Sequence, residues 1–282
     1  MRKYLSLIKF SHTIFAMPFA LIGFFLATKS NEFEWITLLY VVFCMIFARS
    51  AAMAFNRYID RDIDAANSRT AQVREIPNGS IKANSALIFV IINSLLFVTT
   101  TYLINSLCFL LSPIALLVIL GYSYTKRFTA LCHLILGLGL ALAPIGAYLA
   151  VTGEFDVIPL LFSVAVLFWV SGFDIIYSLQ DQDFDKEQTL HSIPVLIGTK
   201  NALNLSKTLH FLTFSALSIA GSFGDFSLYY WIGFGIFTIL LIYQHILVKH
   251  NDLSKINLAF FTTNGIGSVI FGAFVIADLL IQ

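Results

Sequence analysis

Long apolar runs constrain this chain more than any other feature of its sequence. A helix needs about 20 mainly apolar residues to cross a bilayer, and nine runs reach that length. They are residues 10–28, 35–55, 85–104, 107–124, 131–151, 157–179, 206–224, 228–248 and 258–281. Only 12% of the 282 residues are charged, against about 25% in soluble proteins. Lipid offers the backbone no hydrogen bonds, so spanning runs of this kind are helices. The sequence therefore predicts an all-α integral membrane protein, although the runs on either side of Asn105 also read as one long segment.

The Lys and Arg residues predict the orientation of these spans. With nine spans, one side of the membrane receives the N-terminus and the loops 56–84, 125–130, 180–205 and 249–257, which hold most of the basic residues. The positive-inside rule places this side in the cytoplasm. We therefore expect a cytoplasmic N-terminus, an external C-terminus and, for a bacterial protein, a location in the inner membrane. The net charge of +1 argues against nucleic acid as a partner.

Two aspartate-rich motifs follow apolar runs on the predicted cytoplasmic side. The first, residues 56–64, reads N-R-Y-I-D-R-D-I-D, and the second, residues 174–185, reads D-I-I-Y-S-L-Q-D-Q-D-F-D. On continuous helices, each motif presents one polar face. The first face comprises Asn56, Asp60 and Asp64, and the second comprises Asp174, Tyr177, Asp181 and Asp185. Asp62 and Asp183 point away from these faces, and we expect them to be solvated.

The chemistry of these faces favours a divalent cation and a diphosphate. Hard carboxylate oxygens suit Mg²⁺, which usually takes one or two carboxylates together with substrate phosphate oxygens. Nearby cations are candidate phosphate ligands. They are Arg57, Arg69, Arg74, Lys126 and Arg127. Tyr122 lies four residues before Lys126, so we expect both in one cavity. The apolar helices, with 28 Phe residues, would line a channel for a lipid tail. A dry, aromatic-rich pocket would protect an allylic cation formed when diphosphate leaves.

Two other classes of protein compete with this interpretation. A transporter of divalent cations or anionic lipid would place its charges near the membrane midplane, often in interrupted helices. Here the charged motifs lie at the ends of the apolar runs. A structural subunit offers no reason for the regular aspartate spacing. An enzyme that acts on a lipid diphosphate explains both features.

At these residues the chain resembles the UbiA superfamily of intramembrane prenyltransferases. Its motifs are N-D/R-x-x-D-x-x-x-D and D-x-x-Y-x-x-x-D-x-x-x-D. The resemblance implies nine helices around a central cavity and transfer of a polyprenyl group from its diphosphate, with two Mg²⁺ ions. It implies metal binding by Asn56, Asp60, Asp64, Asp181 and Asp185, with these four aspartates and Lys126 as catalytic residues. It implies substrate binding by Asn56, Arg57, Arg69, Arg74, Tyr122, Asp174, Tyr177 and His191.

The acceptor implied by the resemblance is an aromatic acid. 4-Hydroxybenzoate, for ubiquinone, and dihydroxynaphthoate, for menaquinone, both stay open, while haem O and lipid-ether synthesis are more distant alternatives. Arg57 stands where many members of the superfamily carry Asp. The similarity of the two motif loops predicts one domain over residues 1–282, with a weak internal repeat of about 1–150 and 151–282.

Overall fold

The fold is helical throughout the part of the chain that the structure describes. The structure is a computed structural model, and it describes residues 2–8 and 15–281. Within those residues the only β-type pairing is an isolated bridge between Lys249 and Asp252. The α-helices are α1 Arg2–Leu7, α2 Met17–Ala27, α3 Trp35–Ile59, α4 Arg61–Ala66, α5 Ala83–Ile104, α6 Ser106–Thr125, α7 Cys132–Thr152, α8 Val157–Ser178, α9 Gln182–Glu187, α10 Ile193–Phe223, α11 Leu228–Leu247 and α12 Asn264–Ile281.

Seven helical segments among the described residues are long and apolar enough to cross a membrane. They are Trp35–Ile59, Ala83–Ile104, Ser106–Thr125, Cys132–Thr152, Val157–Glu187, Leu228–Leu247 and Leu258–Ile281. They confirm the predicted class, an all-α integral membrane protein. The other two predicted spans do not meet this criterion. The run 10–28 lies partly outside the described residues and ends in the 11-residue α2, and the run 206–224 forms the second part of α10. The count of nine therefore stays a prediction.

The backbone at Asn105 shows whether the apolar runs on either side of it form one helix or two. α5 ends at Ile104 and α6 begins at Ser106. Between them Asn105 adopts extended backbone angles, φ −162° and ψ 167°. Its side-chain oxygen then accepts a hydrogen bond of 2.8 Å from the main-chain N–H of Cys108. This capping bond satisfies one of the free donors at the start of a helix, so the two runs form two helices.

The described helices belong to two compact units of the chain. The first unit comprises Met1–Thr13 and Trp35–Tyr124, and the second comprises Ile14–Glu34 and Thr125–Gln282. In the first unit, α5 packs along α3, and α1 packs against α3. Leu7, Ala51, Ala54, Ala86 and Val90 form part of its buried core. Small alanines on α3 let the two long helices approach closely. The predicted single domain with a weak repeat stays a prediction.

In the second unit, α8 packs between α7 and α10, while α2 packs against α7 and α12. The core is aromatic, and Phe19, Phe162, Trp169, Tyr230 and Phe271 are almost fully buried there. α7 lies so close to α8 that a Cβ atom at Gly137 would come within 2.5 Å of the carbonyl oxygen of Leu167. The missing side chain at this position therefore permits the close packing of α7 on α8.

A fully buried carboxylate joins the last two helices of the second unit. Asp278, in α12, accepts hydrogen bonds from the main-chain N–H groups of Ser227 (2.8 Å) and Tyr230 (3.1 Å). It also accepts one from the Ser227 hydroxyl. Those groups lie at the start of α11, where N–H groups have no partner within the helix and where the helix dipole favours negative charge. Asp278 thus caps α11 from the neighbouring helix.

Candidate functional site

The first motif lies where α3 ends and α4 begins, within the first unit. α3 ends at Ile59, Asp60 has φ −88° and ψ 5°, and α4 begins at Arg61. The expectation of one continuous helix through this motif is therefore wrong. Helical hydrogen bonds nevertheless link its members, because the N–H of Asp60 donates to the Asn56 carbonyl (2.9 Å) and that of Asp64 donates to the Asp60 carbonyl (2.7 Å). The spacing of the three predicted ligands survives a bend at the middle one.

Two carboxylates of the first motif are buried, which makes their partners important. Asp60 is 3% exposed and Asp64 is 7% exposed, whereas Asp62 is exposed, as the sequence predicted. The Asn56 amide donates to a carboxylate oxygen of Asp60 over 3.1 Å. Arg57, itself buried, donates to the side-chain oxygen of Asn56 over 3.1 Å. A buried charge is costly unless it is paired and hydrogen-bonded, and here the Asn56 amide, itself held by Arg57, supplies a hydrogen bond to Asp60.

The loop after α4 brings Arg74 to the first motif. The Thr70 hydroxyl donates to the Asp64 carbonyl (2.8 Å), and the N–H of Arg74 donates to the Thr70 carbonyl (2.8 Å). This folded loop places the Arg74 guanidinium 3.7 Å from an Asp64 carboxylate oxygen. Arg69 is exposed on the same loop, where its N–H donates to the Asn67 side chain.

Arg49 is a residue of the first unit that the sequence analysis did not select. It lies on α3 two helical turns before Asn56, so both residues share a helix face. The Nε atom of its guanidinium is buried and has no hydrogen-bond partner within the described part of the chain. Tyr122, a predicted substrate ligand on α6, interacts with it electrostatically. The seven-residue spacing between Arg49 and Asn56 was the sequence signal for this residue. The positive-inside rule, however, already accounts for an arginine at this end of the span.

The second motif shows a helix break of the same kind in the second unit. α8 ends at Ser178, a 3₁₀ turn covers Leu179–Asp181, and α9 follows as Gln182–Glu187. Asp181 has φ −106° and ψ 5°, so the expected continuous helix is wrong here too. Asp181 and Asp185 are half-buried, and Asp183 is exposed as predicted. Asp185 interacts electrostatically with Asp181 and with Lys126.

Asp174 makes a different contact from the other members of its motif. Its carboxylate oxygen lies 2.7 Å from Nδ1 of His133, a side chain that is only 3% exposed. The other ring nitrogen, Nε2, accepts a hydrogen bond of 3.3 Å from the main-chain N–H of Ile193. The sequence gives no signal for this contact, because 41 residues separate His133 from Asp174 and no motif spacing links them.

Main-chain bonds bring Lys126 and His191 together in the second unit. The N–H of His191 donates to the Lys126 carbonyl over 2.7 Å, and the N–H of Leu190 donates to the Asp185 carbonyl over 2.8 Å. The His191 side chain is exposed. These two bonds join the loop that carries Lys126, the segment 188–192 and the end of the second motif. Tyr122 belongs to the first unit, so the predicted cavity shared by Tyr122 and Lys126 stays a prediction.

Tyr177 contacts an aromatic pair that a π-helical turn presents. The turn covers Leu258–Thr263, and the ring centroids of Phe260 and Phe261 lie 4.2 Å and 6.1 Å from that of Tyr177. Asn264, just after the turn, accepts a hydrogen bond of 3.0 Å from the indole N–H of Trp169. π-Helical turns are rare and occur often at functional sites. The sequence carries no local signal for this one.

The carboxylates fit a metal whose coordination shell the substrate completes. Within the described ranges, no three His, Cys, Asp or Glu side chains come together as a metal site made by protein alone. Each motif offers two carboxylates, and the first adds the Asn56 amide. Mg²⁺ is commonly held by one or two carboxylates and substrate phosphates. This donor set therefore suits Mg²⁺ bound together with a diphosphate better than a structural metal.

Comparison with known proteins identifies the class of this membrane protein. The model of the UbiA prenyltransferase family matches residues 16–266. The chain belongs to that family and is a prenyltransferase. It is 31% identical over 229 residues to a 4-hydroxybenzoate octaprenyltransferase of Tolumonas auensis, covering 81% of this chain and 79% of that one. It is 28% identical to a protein of the same name from Francisella tularensis subsp. mediasiatica, covering 80% and 79%.

Solved structures agree with this assignment. The apo structure of a UbiA homolog from Aeropyrum pernix K1 has a TM-score of 0.86 and 30% identity, covering 95% of this chain and 98% of that one. A UbiA homolog from Archaeoglobus fulgidus bound to DMAPP and Mg²⁺ has a TM-score of 0.79 and 20% identity, covering 99% and 100%. The second likeness is one of fold alone.

Proposed function

We propose that this prenyltransferase transfers a polyprenyl group from a polyprenyl diphosphate to an aromatic acid, in the biosynthesis of a quinone. The observation that carries the proposal is the recurrence of one arrangement, an aspartate-bearing break at the end of an apolar helix, with a cation beside each break. The names of the relatives favour 4-hydroxybenzoate over dihydroxynaphthoate as the acceptor.

The donor diphosphate would be bound at the two aspartate motifs. Asn56, Asp60, Asp64, Asp181 and Asp185 would hold Mg²⁺, in two ions, and Mg²⁺ when bound would neutralise the charge that develops on the leaving diphosphate. Arg57 orients the Asn56 amide, and Arg74 lies against Asp64. Lys126 would supply positive charge beside Asp185. Arg69 and His191 are exposed on the two motif loops, where they would contact outer phosphate oxygens.

Arg49 would bind the carboxylate of the acceptor. Its buried Nε has no hydrogen-bond partner among the described residues, and its neighbour Tyr122 offers a phenol ring. Arginine binds carboxylates in a planar, two-pronged geometry. A half-buried guanidinium beside an aromatic ring therefore suits a small aromatic acid.

Tyr177 and Phe260 would shield the allylic cation. Tyr177 lies one helical turn before Asp181, so its ring would stand next to the carbon that loses the diphosphate. Aromatic faces attract cations, and a desolvated site strengthens that attraction. The aromatic pair would also exclude the water that otherwise captures the cation.

The membrane setting follows from the same proposal. The motif loops and the N-terminus would face the cytoplasm, where the water-soluble acceptor is available, and the C-terminus would lie outside a bacterial inner membrane. The prenyl tail and the surrounding membrane lipid would contact the apolar helices. A substrate with a charged head and a long apolar tail requires both environments.

An assay with a panel of acceptors tests the proposal. The purified protein in lipid nanodiscs is incubated with labelled polyprenyl diphosphate, Mg²⁺ and 4-hydroxybenzoate, dihydroxynaphthoate or phenol. We expect transfer to 4-hydroxybenzoate, none to phenol and none in excess chelator. Transfer to neither aromatic acid, with the donor consumed, would refute the proposed acceptor class.

The variant Arg49→Met tests the proposed acceptor site. It should raise the KM for the acceptor by about tenfold, because a charge-assisted hydrogen bond to the carboxylate is lost, and it should leave the donor KM unchanged. Arg61→Met is the matched control, since Arg61 donates to the Tyr58 carbonyl and stacks over the Tyr58 ring. An unchanged acceptor KM in Arg49→Met would remove this residue from the acceptor site.

A further inference from the structure

His133 joins three segments of the second unit through its two ring nitrogens. It lies in the first turn of α7, its Nδ1 contacts Asp174 on α8, and its Nε2 contacts the N–H of Ile193 at the start of α10. The ring is buried, at 3% exposure, and the Ser171 hydroxyl donates to the His133 carbonyl over 3.2 Å. Backbone and side chain of this residue are thus both fixed.

The partners of the ring define its protonation. A carboxylate oxygen only accepts, so Nδ1 carries a proton and donates it to Asp174. The N–H of Ile193 only donates, so Nε2 carries a lone pair. The imidazole is therefore neutral and held in one tautomer, with Asp174 fixing the proton on Nδ1. The Asp174 carboxylate therefore accepts a hydrogen bond from a histidine, unlike the proposed metal-binding carboxylates of the same motif.

Ile193 ends a short segment that contacts two proposed donor ligands. The segment begins at the Leu190 N–H bond to the Asp185 carbonyl and includes the His191 N–H bond to the Lys126 carbonyl. Ile193 is buried, at 4% exposure. Fixing its N–H therefore fixes the end of a segment whose other bonds hold the backbone of Lys126 and of Asp185.

We propose that His133 is a positioning residue, which sets Lys126 and Asp185 for donor diphosphate binding through its hydrogen bonds to Asp174 and Ile193. The inference rests on the proposed role of those two residues in binding the diphosphate. His133 itself touches no substrate. Its effect should appear as weaker donor binding, with acceptor binding unchanged.

Two amide variants separate the two hydrogen bonds of the ring. His133→Asn places an amide near the position of Nδ1, so it retains the bond to Asp174 and loses the one to Ile193. His133→Gln reaches the position of Nε2, so it retains an acceptor for Ile193 and loses the donor to Asp174. His210→Asn is the matched control, because His210 is also buried in the second unit and is bonded to His245 and to the Trp169 carbonyl.

We expect His133→Asn to raise the KM for the donor by about tenfold, the factor that corresponds to one lost hydrogen bond. The acceptor KM should stay the same, and His133→Gln should restore most of the donor affinity. Hydrogen exchange should accelerate at the Ile193 amide in His133→Asn only. The affinity for inorganic pyrophosphate with Mg²⁺, measured by thermal shift, should fall in parallel, which tests the inference even if the acceptor class proposed above is wrong.

Two results would overturn this inference. One is a His133→Asn protein with the wild-type donor KM and wild-type exchange at Ile193. The other is an equal loss of donor and acceptor affinity, accompanied by the same loss of thermal stability as in His210→Asn. That pattern would make His133 an ordinary packing residue.

Discussion

The two aspartate motifs share a backbone arrangement but differ in how their charges are balanced. In the first, Asp60 and Asp64 are buried, and the Asn56 amide and Arg74 contact them directly. In the second, Asp181 and Asp185 are half-buried and act on each other as like charges, a repulsion that Lys126 offsets only in part at Asp185. The first motif therefore has an amide and a guanidinium of the protein beside its carboxylates. The second has more to gain from a bound cation, since a divalent ion between like charges removes their repulsion.

The strongest test of the shared arrangement is to remove its central aspartates. Asp60→Ala and Asp181→Ala should each lower turnover by at least about 100-fold, the scale of one lost electrostatic contact in a transition state. Acceptor affinity should survive, because neither residue is assigned to the acceptor. Turnover is measured at saturating donor, and acceptor binding separately.

The exposed aspartates of the motifs are the matched controls for this test. Asp62→Asn and Asp183→Asn should change turnover by no more than about threefold, because a solvated side chain away from the donor makes little contribution to binding. Equal losses of turnover in all four variants would show that burial does not distinguish metal-binding aspartates from those with no role in the site. Lost acceptor binding with near-normal turnover in Asp60→Ala would move that residue to the acceptor site.

Removing one carboxylate from each motif tests the difference in charge balance. Asp64→Asn should destabilise the metal-free protein, by about 2 kcal/mol, because Arg74 then lacks its carboxylate. Asp185→Asn should leave the metal-free protein as stable or slightly more stable, because it relieves the repulsion from Asp181. Thermal unfolding in detergent with chelator measures both. Opposite signs of the change in stability would support the proposed difference in charge balance, whereas equal destabilisation by both variants would contradict it.

The aromatic pair beside the second motif predicts a smaller effect on product composition. Phe260→Ala should raise the share of prenyl alcohol relative to transfer product about fivefold, because a cation–π contact worth about 1 kcal/mol is lost and water enters. The control is Phe226→Ala, since Phe226 packs on Tyr230 and not on Tyr177. Both products are separated and quantified in one assay. An unchanged ratio in Phe260→Ala would exclude this ring from shielding the cation.

The sequence was informative wherever function depends on spacing along the chain. Apolar runs predicted the helices, and the regular aspartates predicted both motifs and the exposure of Asp62 and Asp183. The bends at Asp60 and Asp181 were not predictable, because neither has a neighbouring proline or glycine and a continuous helix has the same residue spacing. The contact of His133 with Asp174 arises from packing of α7 on α8, which no local pattern encodes. The hydrogen bond from Trp169 to Asn264, just after the π-helical turn, likewise joins residues far apart in the sequence.

The carboxylate of Asp278 has a consequence for how the chain enters the membrane. A lone carboxylate on a membrane helix is costly to insert, by about 2.5–3.5 kcal/mol at the bilayer centre and by less towards a helix end, where Asp278 lies. The first turn of α11 supplies the N–H groups that satisfy it. α11 therefore lowers the free energy of inserting α12, and we expect the two helices to insert together as a helical hairpin. A chain that stops after Leu247 would leave the first N–H groups of α11 without the Asp278 carboxylate, so α12 completes its neighbour as well as the fold.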